Sequence, residues 1–333
     1  MPCRLPSDSV IAVTYRCNSR CTMCDIWKLE NTPELTPDEF LKLPSSLRDI
    51  NISGGEPFLR ADLAQIIKNC AHACPRARIV ISTNGFATAL IIERMREILR
   101  VKSDIGVAIS IDGIGAMHDE LRGVPGGFDS AIATVKALQK LGMTNLRLAF
   151  TLMEKNIAHF SRVYDLAKEL GVEFAHSLAQ SSDIYFGGKK NINDFRREQL
   201  SEPYRHIIAS ELKSWNLKRW LRAYFNQGSF EFITTKNPPL SSAPGRDFFF
   251  LDPHGRVYPS VIHSVVLIDD FKSIKNFADS WCSPAVESKR AEADALKIPL
   301  WMMCVARTAM KKNPIRVLFW VFKNKFFYAR ATR

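Results

Sequence analysis

Apolar segments rich in β-branched residues alternate with segments of helical periodicity along the first half of this sequence. The six apolar runs are SVIAVTY (9–15), DINISG (49–54), ARIVIST (77–83), IGVAISID (105–112), LRLAFTL (146–152) and VEFAHS (172–177). Between them, segments such as ATALIIERMREIL and FDSAIATVKALQKL place apolar residues three and four positions apart, as amphipathic helices do. This alternation predicts an α/β fold whose parallel sheet is covered by helices. Because six strand–helix units are too few to close an eight-fold barrel, we expect a partial (β/α)6 barrel of the TIM type.

The composition is that of a globular protein with a large core. The chain has 333 residues, of which 46% are hydrophobic and 24% are charged. No apolar run approaches the roughly 20 residues that cross a bilayer, and the N-terminal MPCRLPSDS lacks the apolar segment of a signal peptide. We therefore expect a cytoplasmic protein. The net charge of +12 hints at an acidic partner, but charge alone does not distinguish nucleic acid, lipid headgroups and phosphorylated substrates.

Three cysteines fall within eight residues just after the first predicted strand, in CNSRCTMC (17–24). A reducing compartment and uneven spacing favour metal ligands or buried thiols over a disulfide framework for the eight cysteines of the chain. Structural zinc closes its shell with four ligands, often as two C-x2-C pairs, and no second pair follows here. Three short-spaced thiolates on a loop suit an iron–sulfur cube in which one iron stays open to another ligand. The loop also lies at the carboxyl end of a predicted barrel strand, where chemistry is expected.

The loop CNSRCTMC resembles the cluster-binding loop of the radical S-adenosylmethionine (radical SAM) superfamily, of the CxxxCxxC type. The resemblance implies that Cys17, Cys21 and Cys24 bind one 4Fe-4S cluster, whose open iron chelates the amino and carboxylate groups of S-adenosylmethionine. It also implies that one-electron reduction cleaves the cofactor to methionine and a 5′-deoxyadenosyl radical, which abstracts hydrogen from an unactivated carbon. An external electron donor such as flavodoxin or ferredoxin would supply the electron.

Further motifs that resemble those of this superfamily follow at the ends of the next predicted strands. SGGEPFLR (53–60) is similar to the GGE motif, whose groups receive the ammonium of the cofactor and whose glycines let the backbone approach a ligand; alone, GGEP is also an ordinary turn. STNG (82–85) and SIDG (110–113) place small polar residues where adenosine hydroxyls need hydrogen bonds, and the resemblance gives Ser110 the ribose. Arg122 lies where relatives carry an arginine for the cofactor carboxylate, with a surface arginine in a turn as the alternative. The predicted cofactor-binding residues are Met23, which would read adenine through its backbone, and Gly54, Gly55, Glu56, Ser82, Asn84, Ser110, Asp112 and Arg122.

The second half of the chain resembles the twitch or SPASM extension that many radical SAM enzymes carry after the barrel. GRDFFFLDPHGRVYPSVIHS (245–264) has two apolar runs around the turn signal DPHG, which predicts a β-hairpin. In that extension, cysteines before the hairpin, after it and near the end hold auxiliary clusters. The corresponding positions here are Ser241 or Ser242, Ser260 and Leu300, and only Cys304 clearly remains, with Cys282 out of place. We therefore predict a small C-terminal α+β cap without a second cluster.

The sequence divides into four predicted parts. Residues 1–190 are the radical SAM core, 191–240 a helical connector, 241–310 the twitch-like domain lacking most cluster cysteines, and 311–333 a basic amphipathic tail. The tail has no acidic residue, and its basic residues are Lys311, Lys312, Arg316, Lys323, Lys325, Arg330 and Arg333. It is consistent with a helix on an anionic membrane surface, and equally with a helix docked on the barrel with a solvated basic face. Nucleic-acid binding has less support because no recognised nucleic-acid module is present.

The remaining cysteines and histidines have structural interpretations. Cys70 and Cys74 share one face of a predicted helix and are expected in the core, whereas Cys3 is expected to be a terminal residue without a role. The residues near strand ends that could serve a substrate as acid or base are His118, Asp119 and His176, together with Asp112 at the mouth of the barrel. For all of them a structural role is the preferred interpretation.

The sequence therefore predicts a radical SAM enzyme of the oxidoreductase or transferase type. It does not identify the substrate, for which a membrane lipid or isoprenoid, a ribosomal peptide and a nucleotide-linked sugar stay open. The alternative from another class is a non-catalytic iron–sulfur or scaffold protein derived from this superfamily. Localisation is predicted as cytoplasmic, with peripheral membrane attachment through residues 311–333 left open.

Overall fold

An eight-stranded, mostly parallel sheet forms the centre of the computed structural model, which describes residues 3–29 and 33–330. Its strands are β1 (Asp8–Thr14), β2 (Asp49–Gly54), β3 (Arg78–Thr83), β4 (Gly106–Ser110), β5 (Leu146–Leu152), β6 (Glu173–Leu178), β7 (Phe248–Leu251) and β8 (Val257–Tyr258). The order in the sheet is β6-β5-β4-β3-β2-β1-β7-β8, so β6 and β8 are the two edges of an open, not closed, barrel. The six predicted parallel strands are all present at closely matching positions, which confirms the partial barrel.

The described residues also form eleven α-helices, several of which cover the outer side of the sheet. They are α1 (Leu63–Ala73), α2 (Thr88–Val101), α3 (Ala116–Arg122), α4 (Gly127–Lys140), α5 (Ile157–Glu169), α6 (Arg197–Lys213), α7 (Leu217–Thr235), α8 (Phe277–Trp281), α9 (Pro284–Ala295), α10 (Met303–Lys312) and α11 (Pro314–Arg330). Short 3-10 turns occupy Ile26–Lys28, Pro37–Lys42, Pro57–Leu59 and Glu154–Asn156. Helices α1 to α5 connect successive parallel strands, as the alternation of patterns predicts.

Side chains alternate between the two faces of strands β2 to β6. Residues on the helix-covered face, such as Ile52, Ile81 and Phe150, are fully buried in the main hydrophobic core. Residues on the inner face are small or polar and only half-buried; these include Asn51, Ser53, Val80, Ser82, Ser110, Ala149, Thr151 and Ser177. The inner face of these strands therefore borders an accessible space, which we call the lumen.

The predicted hairpin is confirmed, but it extends the core sheet. Strand β7 pairs in parallel with β1, with Val10 opposite Phe250, and β8 pairs antiparallel with β7. Phe248 and Phe250 pack with Ala12 and Tyr258 in a buried cluster. Because an unpaired edge of β1 would leave a row of backbone groups unsatisfied, the hairpin completes the sheet instead of standing apart as a cap.

Helix α10 lies across the amino-terminal ends of three strands. Arg307 contacts Asp8 at 2.9 Å and Asp49 at 2.5 Å, where β1 and β2 begin. Lys311 contacts Asp49 at 3.3 Å, and Lys312 pairs with Asp247, just before β7. These ion pairs close the end of the barrel that is opposite to the cysteine loop.

Helix α11 docks on α6 and α7 through its buried Val317 and Val321. The part of the predicted basic tail that the structure describes is therefore a packed helix and not a free arm; Arg333 lies outside the described residues. Within residues 3–29 and 33–330, no helix has the length and apolar character that crossing a bilayer requires.

Two expectations about the cysteines outside the loop have different outcomes. Cys70 and Cys74 are buried in the main core, as predicted. The expectation that Cys3 has no role is wrong, because Cys3 forms a disulfide with Cys282, with 5.6 Å between their Cα atoms. This bond ties the N-terminal segment to the end of α8, where Trp281 also donates to the carbonyl of Arg4 at 3.2 Å. Its partners are 279 positions apart in sequence, so spacing gave no sign of it.

Candidate functional site

The cysteine loop leaves the carboxyl end of β1 and is fastened to the end of α3. Ser19 donates its hydroxyl to the carbonyl of Arg122 at 2.8 Å, and the backbone N–H of Arg20 reaches the same carbonyl at 3.0 Å. The next residue, Gly123, has a φ of +64°, and a Cβ there would lie 2.6 Å from the carbonyl of Arg20. The close contact of these two segments fixes the loop above the ends of the strands.

Cys17, Cys21 and Cys24 are free thiols that stay partly accessible on this loop. Burial, with a smaller contribution from the neighbouring thiols, raises the pKa of Cys17 to about 11 and that of Cys24 to about 12, although a backbone N–H opposes each shift. Without a bound cation, Cys17 and Cys24 are therefore neutral thiols at pH 7. A positively charged metal cluster would favour the thiolates, which are the ligand form.

The donor set fits an iron–sulfur cube better than a single metal ion. Among the described residues, no three His, Cys, Asp or Glu side chains converge closely enough to hold one ion. A cube instead takes each thiolate on a different iron, so its ligands are farther apart. The three thiols of this loop could hold three corners of such a cube and would leave the fourth iron for another ligand.

The two glycines of GGEP allow β2 to close on the backbone that leads into the cysteine loop. Gly54 has a φ of +134°, and a Cβ on Gly54 would lie 2.2 Å from the carbonyl oxygen of Thr14. A Cβ on Gly55 would lie 2.2 Å from the carbonyl oxygen of Arg16. The N–H of Gly55 donates to Thr14 at 2.8 Å, and that of Glu56 donates to Arg16 at 2.9 Å. The sequence suggested that these glycines let the backbone approach a ligand. In the structure the group that approaches them is the backbone of Thr14 and Arg16.

Glu56 places a buried carboxyl group beside this contact. Its Oε1 accepts from the hydroxyl of Thr83 at 2.9 Å and from the N–H of Phe58 at 3.2 Å, and its Oε2 accepts from the N–H of Asn84 at 2.8 Å. Burial raises the pKa of Glu56 to about 7, although these hydrogen bonds oppose the shift. A carboxylate held in this way would be stabilised by a cation that enters the site.

Arg122 is not the surface residue of the alternative interpretation, because its guanidinium lies between Asp112 and Cys21. Its Nη2 is 2.6 Å from Oδ2 of Asp112, and its Nη1 is 3.7 Å from Sγ of Cys21. Burial disfavours its charge, but Asp112 and Cys21 outweigh this effect and raise the pKa of Arg122. Burial also raises the pKa of Asp112, and Arg122 opposes that shift. Arg122 therefore keeps its positive charge next to the cysteine loop, with Asp112 as its partner.

The other predicted cofactor-binding residues lie around the same opening. Ser82 faces the lumen and donates to Asn51 at 2.9 Å, and Ser110 is half-buried at the end of β4. Asn84 donates to Asn18 of the cysteine loop at 2.7 Å. The carbonyl of Met23 accepts from the side chain of Asn191 at 2.9 Å. The structure thus brings together the ends of β2, β3 and β4 and the cysteine loop, as the order of the motifs predicts.

Sequence reasoning missed a segment that crosses this opening, residues 179–191, which we call the strap. The hydroxyl of Tyr185 lies 2.6 Å from that of Ser53 and accepts from the N–H of Gly54 at 3.2 Å. The carbonyl of Phe186 accepts from the N–H of Asp25 at 3.0 Å. The strap therefore contacts both the GGE segment and the cysteine loop. Its only sequence signals are the YFGG stretch and its place after the last parallel strand.

His118, Asp119 and His176, which could serve as acid or base, each form hydrogen bonds within the protein. His118 is buried and accepts from the N–H of Asp112 at 3.1 Å, and burial lowers its pKa to about 3. Asp119 accepts from the N–H groups of Gly126 and Phe128, each at 2.7 Å, and so holds the start of α4. His176 packs on the helix-covered face of β6, 3.0 Å from the hydroxyl of Tyr204, and burial lowers its pKa to about 3.

The chain is similar in sequence to known proteins. The sequence profile of the Radical SAM superfamily matches residues 11–185. Over 172 residues the chain is 31% identical to the AdoMet-dependent heme synthase of Methanosarcina barkeri (strain Fusaro / DSM 804), covering 49% of this chain and 48% of that protein. Over 191 residues it is 32% identical to the pre-heme d1 synthase of Dinoroseobacter shibae (strain DSM 16493 / NCIMB 14021 / DFL 12), covering 54% of this chain and 44% of that protein. The chain spans about half the length of these curated relatives.

Solved structures share the fold at low sequence identity. Streptococcus suis SuiB bound to S-adenosylmethionine matches with a TM-score of 0.64 and 15% identity, over 86% of this chain and 68% of that chain. Native anSMEcpe with bound AdoMet and the Cp18Cys peptide matches with a TM-score of 0.63 and 14% identity, over 98% of each chain. At this identity the likeness shows the fold alone. The family profile, however, spans more than half of the chain and includes the cysteine loop, the GGE motif and Arg122. The chain belongs to the radical SAM superfamily.

Proposed function

We propose that this protein is a radical SAM enzyme. The observation that carries the proposal is a loop of three free thiols with a buried carboxyl, Glu56, and a partly buried guanidinium, Arg122, beside it. A cube bound to the three thiolates would leave one iron open, and an amino-acid ligand there would present one ammonium and one carboxylate. Glu56 and Arg122 have the matching charges. When bound, the cluster and S-adenosylmethionine supply reductive cleavage to a 5′-deoxyadenosyl radical.

The protein's own residues bind and orient the cofactor in this proposal. Glu56 accepts from the ammonium, and Arg122 donates to the carboxylate while Asp112 holds its guanidinium in place. Gly54 and Gly55 place Glu56 by letting β2 approach Arg16. Ser82, Asn84 and Ser110 meet the adenosine moiety, and the backbone of Met23 meets adenine. The substrate would enter the lumen, whose small side chains leave space below the cofactor.

The substrate class stays within the three alternatives given by the sequence: a lipid or isoprenoid, a peptide, or a nucleotide-linked sugar. We keep the proposed division into a core (1–190), a connector (191–240), a twitch-like part (241–310) and a tail (311–333). One boundary of this division changes: because β7 pairs with β1, we assign the β7–β8 hairpin to the sheet of the core.

Two partners complete the proposal. An external one-electron donor such as flavodoxin or ferredoxin reduces the cluster, and the net charge of +12 supports an acidic partner of this kind. The tail, residues 311–333, makes a peripheral contact with an anionic membrane, which Arg316 and Lys323 support, whereas Lys311 and Lys312 are paired with carboxylates of the barrel.

Formation of 5′-deoxyadenosine tests the enzymatic proposal against the non-catalytic alternative. We expect anaerobically reconstituted and reduced protein to convert S-adenosylmethionine to 5′-deoxyadenosine and methionine. The matched control is the Cys17→Ala/Cys21→Ala/Cys24→Ala variant, which should form neither product. If the wild type binds a cluster but forms no 5′-deoxyadenosine with any reductant, the non-catalytic alternative is correct.

A further inference from the structure

Helix α11 has a second apolar face that its docking on the barrel does not use. Val317 and Val321 are buried against α6 and α7, yet Ile315, Phe319 and Phe322 are 84%, 71% and 46% exposed. These three residues are at positions i, i+4 and i+7, so they form one stripe along the outer side of the helix. A helix that needed only to dock would carry polar residues along this stripe.

The apolar stripe continues onto the loop between α6 and α7. The ring of Trp220 lies 5.7 Å from that of Phe322 and 5.9 Å from that of Trp215. Trp215 is 76% exposed and Leu217 is 55% exposed. We call these five exposed side chains the outer apolar surface: Ile315, Phe319, Phe322, Trp215 and Leu217.

Lys325 fixes the helix and the loop to each other. Its ammonium donates to the carbonyls of Leu212 at 2.6 Å and Ser214 at 2.7 Å, at the end of α6. It also lies 4.3 Å from the centre of the Trp215 ring, a distance typical of a cation–π contact. The two parts of the outer apolar surface are therefore presented together by a rigid connection.

A basic cleft borders this surface. It has a volume of about 220 Å³ between α7 and α11, and the residues that matter here are Arg316 and Lys323 on α11 and Tyr224 on α7. Neither Arg316 nor Lys323 takes part in an ion pair with another residue that the structure describes. The acidic residue of the cleft, Glu231, accepts from Gln227 at 2.8 Å. Two cations that form no ion pair within the described residues thus lie beside exposed aromatic side chains, and together they outnumber the one carboxylate of the cleft.

We propose that the outer apolar surface docks on an anionic lipid bilayer, with Trp215 and the α11 stripe at the boundary of headgroups and acyl chains and a lipid phosphate in the cleft of Arg316 and Lys323. This inference rests on the proposed membrane contact of the tail and extends it to the α6–α7 loop. Exposed tryptophan and apolar residues beside unpaired cations are the combination that interfacial membrane binding requires. A second copy of the chain fits the surface less well, because two molecules of charge +12 would bring like-charged rims together.

Vesicle flotation with the full-length, cluster-containing protein tests this inference. We expect the wild type to float with vesicles of phosphatidylcholine mixed with phosphatidylglycerol and to bind pure phosphatidylcholine vesicles much less. Ile315→Ser/Phe319→Ser and Trp215→Ser/Leu217→Ser should each weaken partitioning by about tenfold or more, because each removes two large apolar side chains from the contact. The control Leu296→Ser, which changes an exposed leucine next to α9, should bind like the wild type.

The cleft is tested by removing its charges. Arg316→Gln/Lys323→Gln should weaken binding by about tenfold and reduce its dependence on salt. Lys136→Gln/Lys140→Gln on α4, which makes the same change in net charge elsewhere, should have no such effect. All these variants should still form 5′-deoxyadenosine, so a failure of the membrane inference is distinguishable from a failure of the proposed enzymatic function.

Three results would overturn the inference. If the wild type bound neither kind of vesicle, both the proposed membrane contact of the tail and the docking of the outer apolar surface would be refuted. If Arg316→Gln/Lys323→Gln lost vesicle binding and Trp215→Ser/Leu217→Ser did not, the tail would still contact the membrane. The α6–α7 loop would then have no part in that contact. Light scattering that shows a dimer in solution, which Ile315→Ser/Phe319→Ser converts to a monomer, would make the surface an interface between copies of this chain.

Discussion

Glu56 gives the protein without bound cofactor a dependence of stability on pH. Burial raises the pKa of its carboxyl to about 7 in the folded state, compared with 4.5 for an exposed group. The folded state therefore holds this proton up to a higher pH than the unfolded state does. The contribution of Glu56 to the free energy of unfolding is then greatest below about pH 4.5 and falls by about 3 kcal/mol as the pH rises through about 7.

Replacing Glu56 by glutamine should remove this dependence. We expect urea unfolding of the cluster-free wild type to show a loss of stability between about pH 5 and about pH 8 that Glu56→Gln lacks. In the cluster-containing protein, cofactor binding should change with pH in the opposite direction to stability, because the cofactor ammonium binds the ionised carboxylate and not the protonated carboxyl. Affinity of the wild type for S-adenosylmethionine should therefore rise over the same pH range. Equal slopes for both proteins in both measurements would exclude Glu56 as the titrating group.

Arg122 has a structural and a proposed cofactor-binding role that a double variant separates. Arg122→Ala leaves the buried carboxylate of Asp112 without its partner, which should cost about 3–5 kcal/mol of stability. Asp112→Asn/Arg122→Ala removes both charges and should recover most of that stability, while the affinity for S-adenosylmethionine stays about one to two orders of magnitude lower. Thermal unfolding and cofactor titration measure the two effects. Recovery of affinity together with stability would mean that Arg122 serves only to pair with Asp112.

At the scale of single residues, the sequence indicated most of the candidate site residues. It did not indicate the distant residues with which they form hydrogen bonds. The order of the motifs predicted which strand ends lie beside the cysteine loop, because each motif follows its own strand, while the roles of Cys17, Cys21 and Cys24 as ligands stay a prediction. Asn191 and Met23 are 168 positions apart, and Tyr185 and Ser53 are 132 positions apart. Contacts over such distances depend on how the whole barrel packs, which local patterns do not report.

Among the elements, the strap is the segment whose contacts can be tested most directly. Gly187 has a φ of +64°, and a Cβ there would lie 2.3 Å from the carbonyl oxygen of Asp25 in the cysteine loop. Its neighbour Gly188 has a φ of +76°, but a Cβ there would meet no atom within 4 Å. Alanine at either position pays about 1 kcal/mol for the left-handed backbone. Only alanine at position 187 also clashes with the cysteine loop.

Gly187→Ala should therefore displace the strap, whereas Gly188→Ala is its matched control. We expect Gly187→Ala to weaken binding of S-adenosylmethionine by about tenfold relative to Gly188→Ala, because the strap contacts the backbone of Met23 and Gly54. Isothermal titration of the cluster-containing variants measures this difference. Equal affinities would show that the strap does not support the cofactor site.

The elements themselves were predictable to different degrees. Strands β1 to β6 were found at nearly their observed positions, because a buried parallel strand is a continuous apolar run between turn signals. The hairpin was found as a hairpin, but its pairing with β1 was not, since strand order depends on tertiary packing. The place of α10 across the start of β1 and β2 was also missed, because Arg307 finds Asp8 and Asp49 only in the folded chain.

On the scale of the whole molecule, the positions of the cysteines outside the loop support the prediction of a single cluster site. Cys282 is bonded to Cys3, and Cys70 and Cys74 are buried in the main core. Cys304 lies near Asp8 and Arg307, at the end of β1 that is opposite to the cysteine loop, and burial raises its pKa to about 12. A second cube would need several thiolates at one place. Only Cys17, Cys21 and Cys24 share a loop.

Anaerobic reconstitution should therefore give about four irons and four sulfides per chain. The Cys17→Ala/Cys21→Ala/Cys24→Ala variant should retain almost none, because no other group of thiols can take over. Cys3→Ser/Cys282→Ser is the matched control: it also removes cysteines, but it should keep about four irons and show only lower thermal stability, since its bond links the N-terminal segment to α8. Residual iron in the triple variant would reveal a second site, and loss of iron from the control would place Cys3 or Cys282 among the ligands. Residual iron would mean that Cys304 or another thiol has ligand partners from elsewhere in the chain. Loss of iron from the control would mean that the disulfide does not form in the cluster-containing protein.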